Sequence, residues 1–201
     1  MDYFALLNEP RRPWLEPETL RSKFLALAAE AHPDKQREAG ETEKLKANRR
    51  YAELNTAYHC LTEPKLRVLH LLELELGVKP GEVQQIPTAL ADLFAEVATV
   101  CLSTDNFLAE KNQVTSPLLQ VQLFERAQER VERLRALQTR LTSLYDQLVE
   151  ELKSLDALWT SKSQSAERRA LLNRLEELYR LFGYFNRWNN QIQERIVQLS
   201  L

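Results

Sequence analysis

Apolar residues recur along most of this chain in steps of three and four, the spacing that keeps one face of an α-helix buried. Glu18 to Ala31 shows the pattern at Leu20, Phe24, Leu27 and Ala31. The periodicity predicts a short helix around Asp2 to Leu7, then longer ones over Glu18–Ala31, about Glu43–Leu61 and Pro64–Leu76. Three more are expected at roughly Thr88–Lys111, Pro117–Trp159 and Ala166–Leu199. The second of these carries Phe124, Ala127, Val131, Leu134, Leu137, Leu141, Leu144, Leu148, Leu152, Leu155 and Trp159. That seam would run for about 60 Å at 1.5 Å per residue. A partner seam lies on the last helix at Leu171, Leu175, Leu178, Phe182, Phe185, Trp188, Ile192, Ile196 and Leu199. Pairing the two antiparallel, with the Thr88–Lys111 helix along them, buries all three apolar faces. The expected fold class is all-α.

Prolines fall between these repeats and punctuate them. Pro33 ends the Glu18–Ala31 pattern, because proline has no backbone N–H and pushes the preceding residue out of the α conformation. His32, Pro33 and Asp34 therefore stand at the corner between two helices of a hairpin. Their connection, His32 to about Thr42, is longer than a helical hairpin requires, as functional loops often are. Pro80 and Pro87, with Gly77 and Gly81, mark residues 77–87 as a linker. The expected domains are 1–76 and 88–201.

Composition narrows the function. A 201-residue chain that is 44% hydrophobic holds one moderate core or two small ones. The 27 Lys and Arg against 29 Asp and Glu give a net charge of −2, which argues against a nucleic-acid coat or a polybasic membrane anchor. Cys60 and Cys101 lie inside apolar patterns with no metal-ligand spacing, so neither a disulfide framework nor a zinc site is expected. His59 and His70 have no carboxylate or cysteine cluster at ligand spacing and read as structural. Scarce glycine leaves no phosphate-cradling loop. No catalytic residue, cofactor or metal is implied. No apolar run approaches the roughly 20 residues that span a bilayer. The start Met1-Asp2-Tyr3-Phe4 has no signal-type core, so a cytoplasmic chain is expected.

One constellation remains. His32-Pro33-Asp34-Lys35, followed by Tyr51-Ala-Glu-Leu54-Asn55-Thr-Ala57-Tyr58-His-Cys-Leu61-Thr-Glu-Pro64-Lys-Leu-Arg67, resembles a J domain, the module by which co-chaperones engage DnaK-type chaperones. The opening Asp2-Tyr3-Phe4-Ala-Leu6-Leu7, the positions Leu15, Glu16 and Leu20, and Arg67-Val-Leu-His-Leu71-Leu72-Glu-Leu74 are similar to the HscB type of iron–sulfur cluster assembly co-chaperones. That resemblance implies a J domain, a helical hairpin with short flanking helices, followed by a three-helix bundle with a long antiparallel pair. It implies docking on a DnaK/HscA-type chaperone through His32, Pro33, Asp34 and Lys35, stimulation of the chaperone's ATPase, and delivery of an IscU-type iron–sulfur scaffold protein. Arg21, Lys23, Lys35 and Arg37 would steer an acidic partner, or form an ordinary solvated face. Without the resemblance, Asp34 caps a turn and His32 ends a helix.

The family's scaffold-binding run corresponds to Leu90-Ala-Asp92-Leu93-Phe94-Ala-Glu96-Val97, with fewer carboxylates and a bulkier apolar face. Leu181-Phe-Gly-Tyr184-Phe-Asn-Arg187-Trp188 is similar to its aromatic segment. Leu90, Leu93, Phe94 and Tyr184 are therefore the expected client-binding residues. Two alternatives stay open: a J-domain adaptor for another client, and a coiled-coil interaction protein with an inert J-like region. Self-association through the C-terminal bundle also stays open.

Overall fold

Helix ends follow local chemistry. Asp2 opens α1 (Tyr3–Leu6), its carboxylate accepting the N–H of Phe4 at 3.0 Å and of Ala5 at 3.2 Å. Pro17 starts α2 (Pro17–Glu30) and Pro64 starts α4 (Pro64–Leu76), first-turn positions where no intrahelical N–H bond is lost. Between them α3 (Glu41–Thr62) begins at Gly40, whose N–H donates to the Glu43 carboxylate at 3.3 Å. Glu63 caps α4 by accepting the Leu66 N–H at 2.7 Å, and Gly77 ends it at φ +70, a left-handed conformation that glycine adopts without a Cβ clash. A 3-10 turn over Thr88–Leu90 leads into α5 (Ala91–Lys111), followed by α6 (Pro117–Ser161) and α7 (Ser165–Ser200). This computed structural model describes residues 1–32, 40–81, 88–161 and 165–200. Among them there is no strand, as the all-α expectation requires.

The chain forms two compact units, each built from two stretches: Met1–Gly81 with Val149–Arg180, and Glu82–Leu148 with Leu181–Leu201. The sequence reading places the whole α6–α7 pair in one contiguous domain, and helix length explains the difference. α6 has 45 residues and α7 has 36, whereas α5 has only 21. At 1.5 Å per residue, α5 covers roughly half of α6. The apolar seam left over on α6 and α7 is grouped with residues 1–81.

In the first unit Phe4, Leu7, Leu20, Leu54, Leu61, Leu71 and Leu72 are buried, and Phe24 of α2 stacks on Tyr58 of α3 with ring centroids 4.2 Å apart. Arg67 is 2% exposed. Its Nε donates to the Pro13 carbonyl at 2.8 Å and its Nη1 to the Leu61 carbonyl at 2.6 Å, while the guanidinium lies 5.2 Å from the centre of the Trp14 ring. One side chain thus satisfies a carbonyl near the end of α3 and anchors the segment before α2.

That segment is also fixed from α6. Asp156, 4% exposed, accepts from Arg12 through both oxygens and from the Trp14 N–H at 3.1 Å. Trp159 Nε1 donates to the Arg11 carbonyl at 2.9 Å, and Lys153 lies over the Trp14 ring at 4.8 Å. The expected seam runs Leu152, Leu155, Trp159; the structure buries Asp156 and leaves Leu155 only half-buried. A buried carboxylate holds this position because three donors satisfy it, which hydrophobic periodicity cannot register.

His70 is buried and accepts the Tyr3 N–H at Nε2, 3.0 Å away, with its ring stacked on Phe4. Burial holds its pKa below the ordinary 6.5, with smaller opposing effects from Asp2 and Glu73. The unfolded chain therefore takes up this proton first as pH falls. Stability is expected to be full above about pH 6.5 and to decline as pH falls through the folded-state pKa. Urea unfolding between pH 7.5 and 5 checks this, and His70→Gln should flatten the slope in that window.

The second unit packs α5 against segments of α6 and α7 around Val97, Val100, Phe107, Leu134, Leu141, Phe185 and Ile192. Its seam on α6 begins one residue earlier than periodicity indicates. Leu123 is 5% exposed and Phe124 is 63% exposed, because Leu123 keeps step with Ala127, Leu134 and Leu141 on the face toward α5 and α7.

Candidate functional site

The hairpin corner is built by α2 and α3. The last backbone bond of α2 runs from the Ala31 N–H to the Leu27 carbonyl at 3.0 Å. His32 follows, half-buried, with its ring edge-on to Tyr51 of α3 at 5.6 Å and 81°. The helix end thus fixes its backbone and an aromatic neighbour fixes its ring. Pro33, Asp34, Lys35 and Arg37 lie outside the described residues.

The two expected cations on α2 differ in what they do. Arg21 is exposed. Lys23 binds the Asn8 carbonyl at 2.8 Å and the Glu9 carboxylate at 3.0 Å, so it fastens the turn after α1 to α2. With two of its three N–H donors engaged and its charge already opposed by Glu9, this ammonium has less to offer an incoming acidic surface than an unpaired cation.

The α5 face carries the second group. Leu93 is 8% exposed and belongs to the core of its unit. Leu90 and Tyr184 are half-buried against that core, and Phe94 is 42% exposed. Trp188 joins them, with its ring 6.3 Å from Phe94 and 5.9 Å from Tyr184. An aromatic run from α5 to α7 results. Trp188 was legible as a seam residue and as the end of the Leu181–Trp188 aromatic segment, but was not among the expected client-binding residues; its spacing of four from Tyr184 was the signal that both share a face. The carboxylates are fewer still than the sequence suggests, because Glu96 is ion-paired with Arg140.

Other chemistry is quiet. Burial, then Glu73 and Glu63, push the Cys60 thiol up to about 11, and burial also raises Cys101, so both are protonated at neutral pH. Among the described residues no three His, Cys, Asp or Glu side chains are grouped to hold a metal. No described helix is long and apolar enough to cross a membrane.

No family model matches the chain. It is similar to the co-chaperone protein HscB homologs of two strains of Vibrio cholerae serotype O1, at 36% identity over 85 residues, 42% of this chain and 49% of theirs. It therefore spans about half the length of the curated relatives it matches. Among solved structures, the chaperone HscB from Vibrio cholerae superposes with a TM-score of 0.60 at 21% identity, covering 99% of both chains. The fold is that of HscB. The human co-chaperone protein HscB also superposes at 0.60, with 17% identity, over 100% of this chain and 83% of the other. Those likenesses cover nearly all of the chain, so the HscB fold includes the long α6–α7 pair as well as the hairpin.

Proposed function

We propose that this protein is an HscB-type co-chaperone of iron–sulfur cluster assembly. It docks on a DnaK/HscA-type chaperone through His32, Pro33 and Asp34, stimulates ATP hydrolysis there, and presents an IscU-type scaffold protein through Leu90, Phe94, Trp188 and Tyr184. The observation that carries the reading is the sequence His-Pro-Asp at the α2–α3 junction of a chain with the HscB fold. In this reading the protein performs no bond chemistry itself. It supplies contacts, and holding two partners on one chain makes their meeting intramolecular, so each contact works while weak.

Single-turnover ATP hydrolysis by a DnaK/HscA-type chaperone tests it. Addition of this protein is expected to accelerate hydrolysis, and an unchanged rate with every such chaperone overturns the proposal. For the client surface, Phe94→Asp is expected to weaken capture of an IscU-type scaffold about 30-fold, equivalent to about 2 kcal/mol for one well-packed aromatic anchor. Helicity should be unchanged, because Phe94 is partly in water already. The pairing of Glu96 with Arg140 favours a second reading, a client with less positive charge than the family's scaffold. Failure to capture any IscU-type scaffold, with ATPase stimulation intact, would support it.

A further inference from the structure

The hairpin needs a cationic face if it is to meet an acidic partner, and α2 supplies little of one. The remaining exposed positions on its middle turns are Ser22, Leu25, Ala26 and Ala29, small or apolar. Arg21 is exposed at one end, and Lys23 is held by Asn8 and Glu9. The first half of α3 is different. Lys46 and Arg50 are both exposed and form no ion pair among the described residues, whereas neighbouring Arg49 is paired with Glu53 at 3.0 Å. Lys46 and Arg50 are four residues apart, hence on one face, where like charges repel each other. Together with Ala31, Glu43 and Ala47 they line an open depression where the end of α2 meets the start of α3. Glu43 is turned to helix capping, its carboxylate accepting the Gly40 N–H. His32 follows Ala31 directly, so the depression adjoins the proposed docking corner.

We infer that Lys46 and Arg50 are the anion-receiving surface of this hairpin, and that they take a carboxylate-bearing face of the partner ATPase. The inference rests on the reading under Proposed function and moves its electrostatic contact from α2 to α3. A protein face fits better than a phosphate polymer or a lipid surface, because the chain carries a net charge of −2 and Glu43 sits within the same lining. A continuous polyanion would meet that carboxylate, whereas a folded partner can place a donor opposite it. Unneutralised cations four residues apart gain from each carboxylate brought between them, and the gain falls as salt screens it.

The test measures ATPase stimulation against co-chaperone concentration at low and high salt. Lys46→Glu with Arg50→Glu is expected to raise the half-stimulating concentration about tenfold at low salt and much less at high salt. Maximal stimulation at saturation should be preserved, since the corner is untouched. Arg21→Glu should shift the curve far less. An unchanged curve for the double variant, or an equal shift from Arg21→Glu, overturns the inference while leaving the co-chaperone reading in place. Absence of stimulation by the unaltered protein overturns both. Binding to phosphatidylserine vesicles that the double variant loses overturns the protein-face assignment.

Discussion

Replacing Arg67 by alanine is expected to destabilise the protein by about 3 kcal/mol, the scale for removing a buried charged group that satisfies two other polar atoms. Two carbonyls lose their donor: that of Pro13, before α2, and that of Leu61, near the end of α3. Trp14 also loses the cation that lies against its ring. For a chain of this size the melting temperature should fall by about 6 to 12 °C. Arg67→Lys should recover little, because a single ammonium cannot reproduce a planar fork aimed at two acceptors. Thermal and urea unfolding read the effect. A loss below about 1 kcal/mol would mean that water replaces these bonds.

Asp34→Asn and His32→Gln are expected to cut the maximal ATPase stimulation about 10- to 100-fold, with folding unaffected. An ionised carboxylate accepts a charge-assisted bond from a partner arginine, worth about 1.5 to 3 kcal/mol when water is excluded; an amide offers one neutral oxygen, without the ion-pair attraction or bidentate acceptance, and binds more weakly. If that bond forms fully only in the hydrolysis-competent complex, its loss lowers the saturating rate more than the half-stimulating concentration. His32→Gln removes the ring that stands edge-on to Tyr51 and with it the aromatic packing that fixes the corner. Single-turnover hydrolysis at saturating co-chaperone separates the two quantities. Full stimulation by both variants would remove the corner from the mechanism.

Periodicity located the helices because a buried stripe must return every three or four residues wherever α-helices pack. α4 begins at Pro64 and ends where Gly77 provides a left-handed conformation, so both of its ends were legible from residue type, whereas α2 begins at Pro17, one residue before the expected Glu18. Periodicity misplaced Phe124 because Leu123 and Phe124 are both apolar, and only the direction of α5 and α7 selects between them. Leu93 and Phe94 pose the same choice on α5, and packing buries the first and exposes the second. Asp156 escaped for another reason. A carboxylate reads as surface until Arg12 and Trp14, over 140 residues away, are seen to satisfy it.

The sequence by itself determined an all-α chain and set His32-Pro33-Asp34 in the connection between α2 and α3, because helical spacing acts over a few residues. It also carried the Tyr51 to Arg67 stretch, although not what Arg67 does. Only the tertiary structure decided which cations are committed inside the fold, as Lys23 is, and which form no ion pair among the described residues, as is the case for Lys46 and Arg50. It alone joined Phe94 to Tyr184 through Trp188 and grouped part of α6 and α7 with residues 1–81. Those outcomes depend on partners distant in the chain, and a charge or a ring acquires its role from what packs beside it.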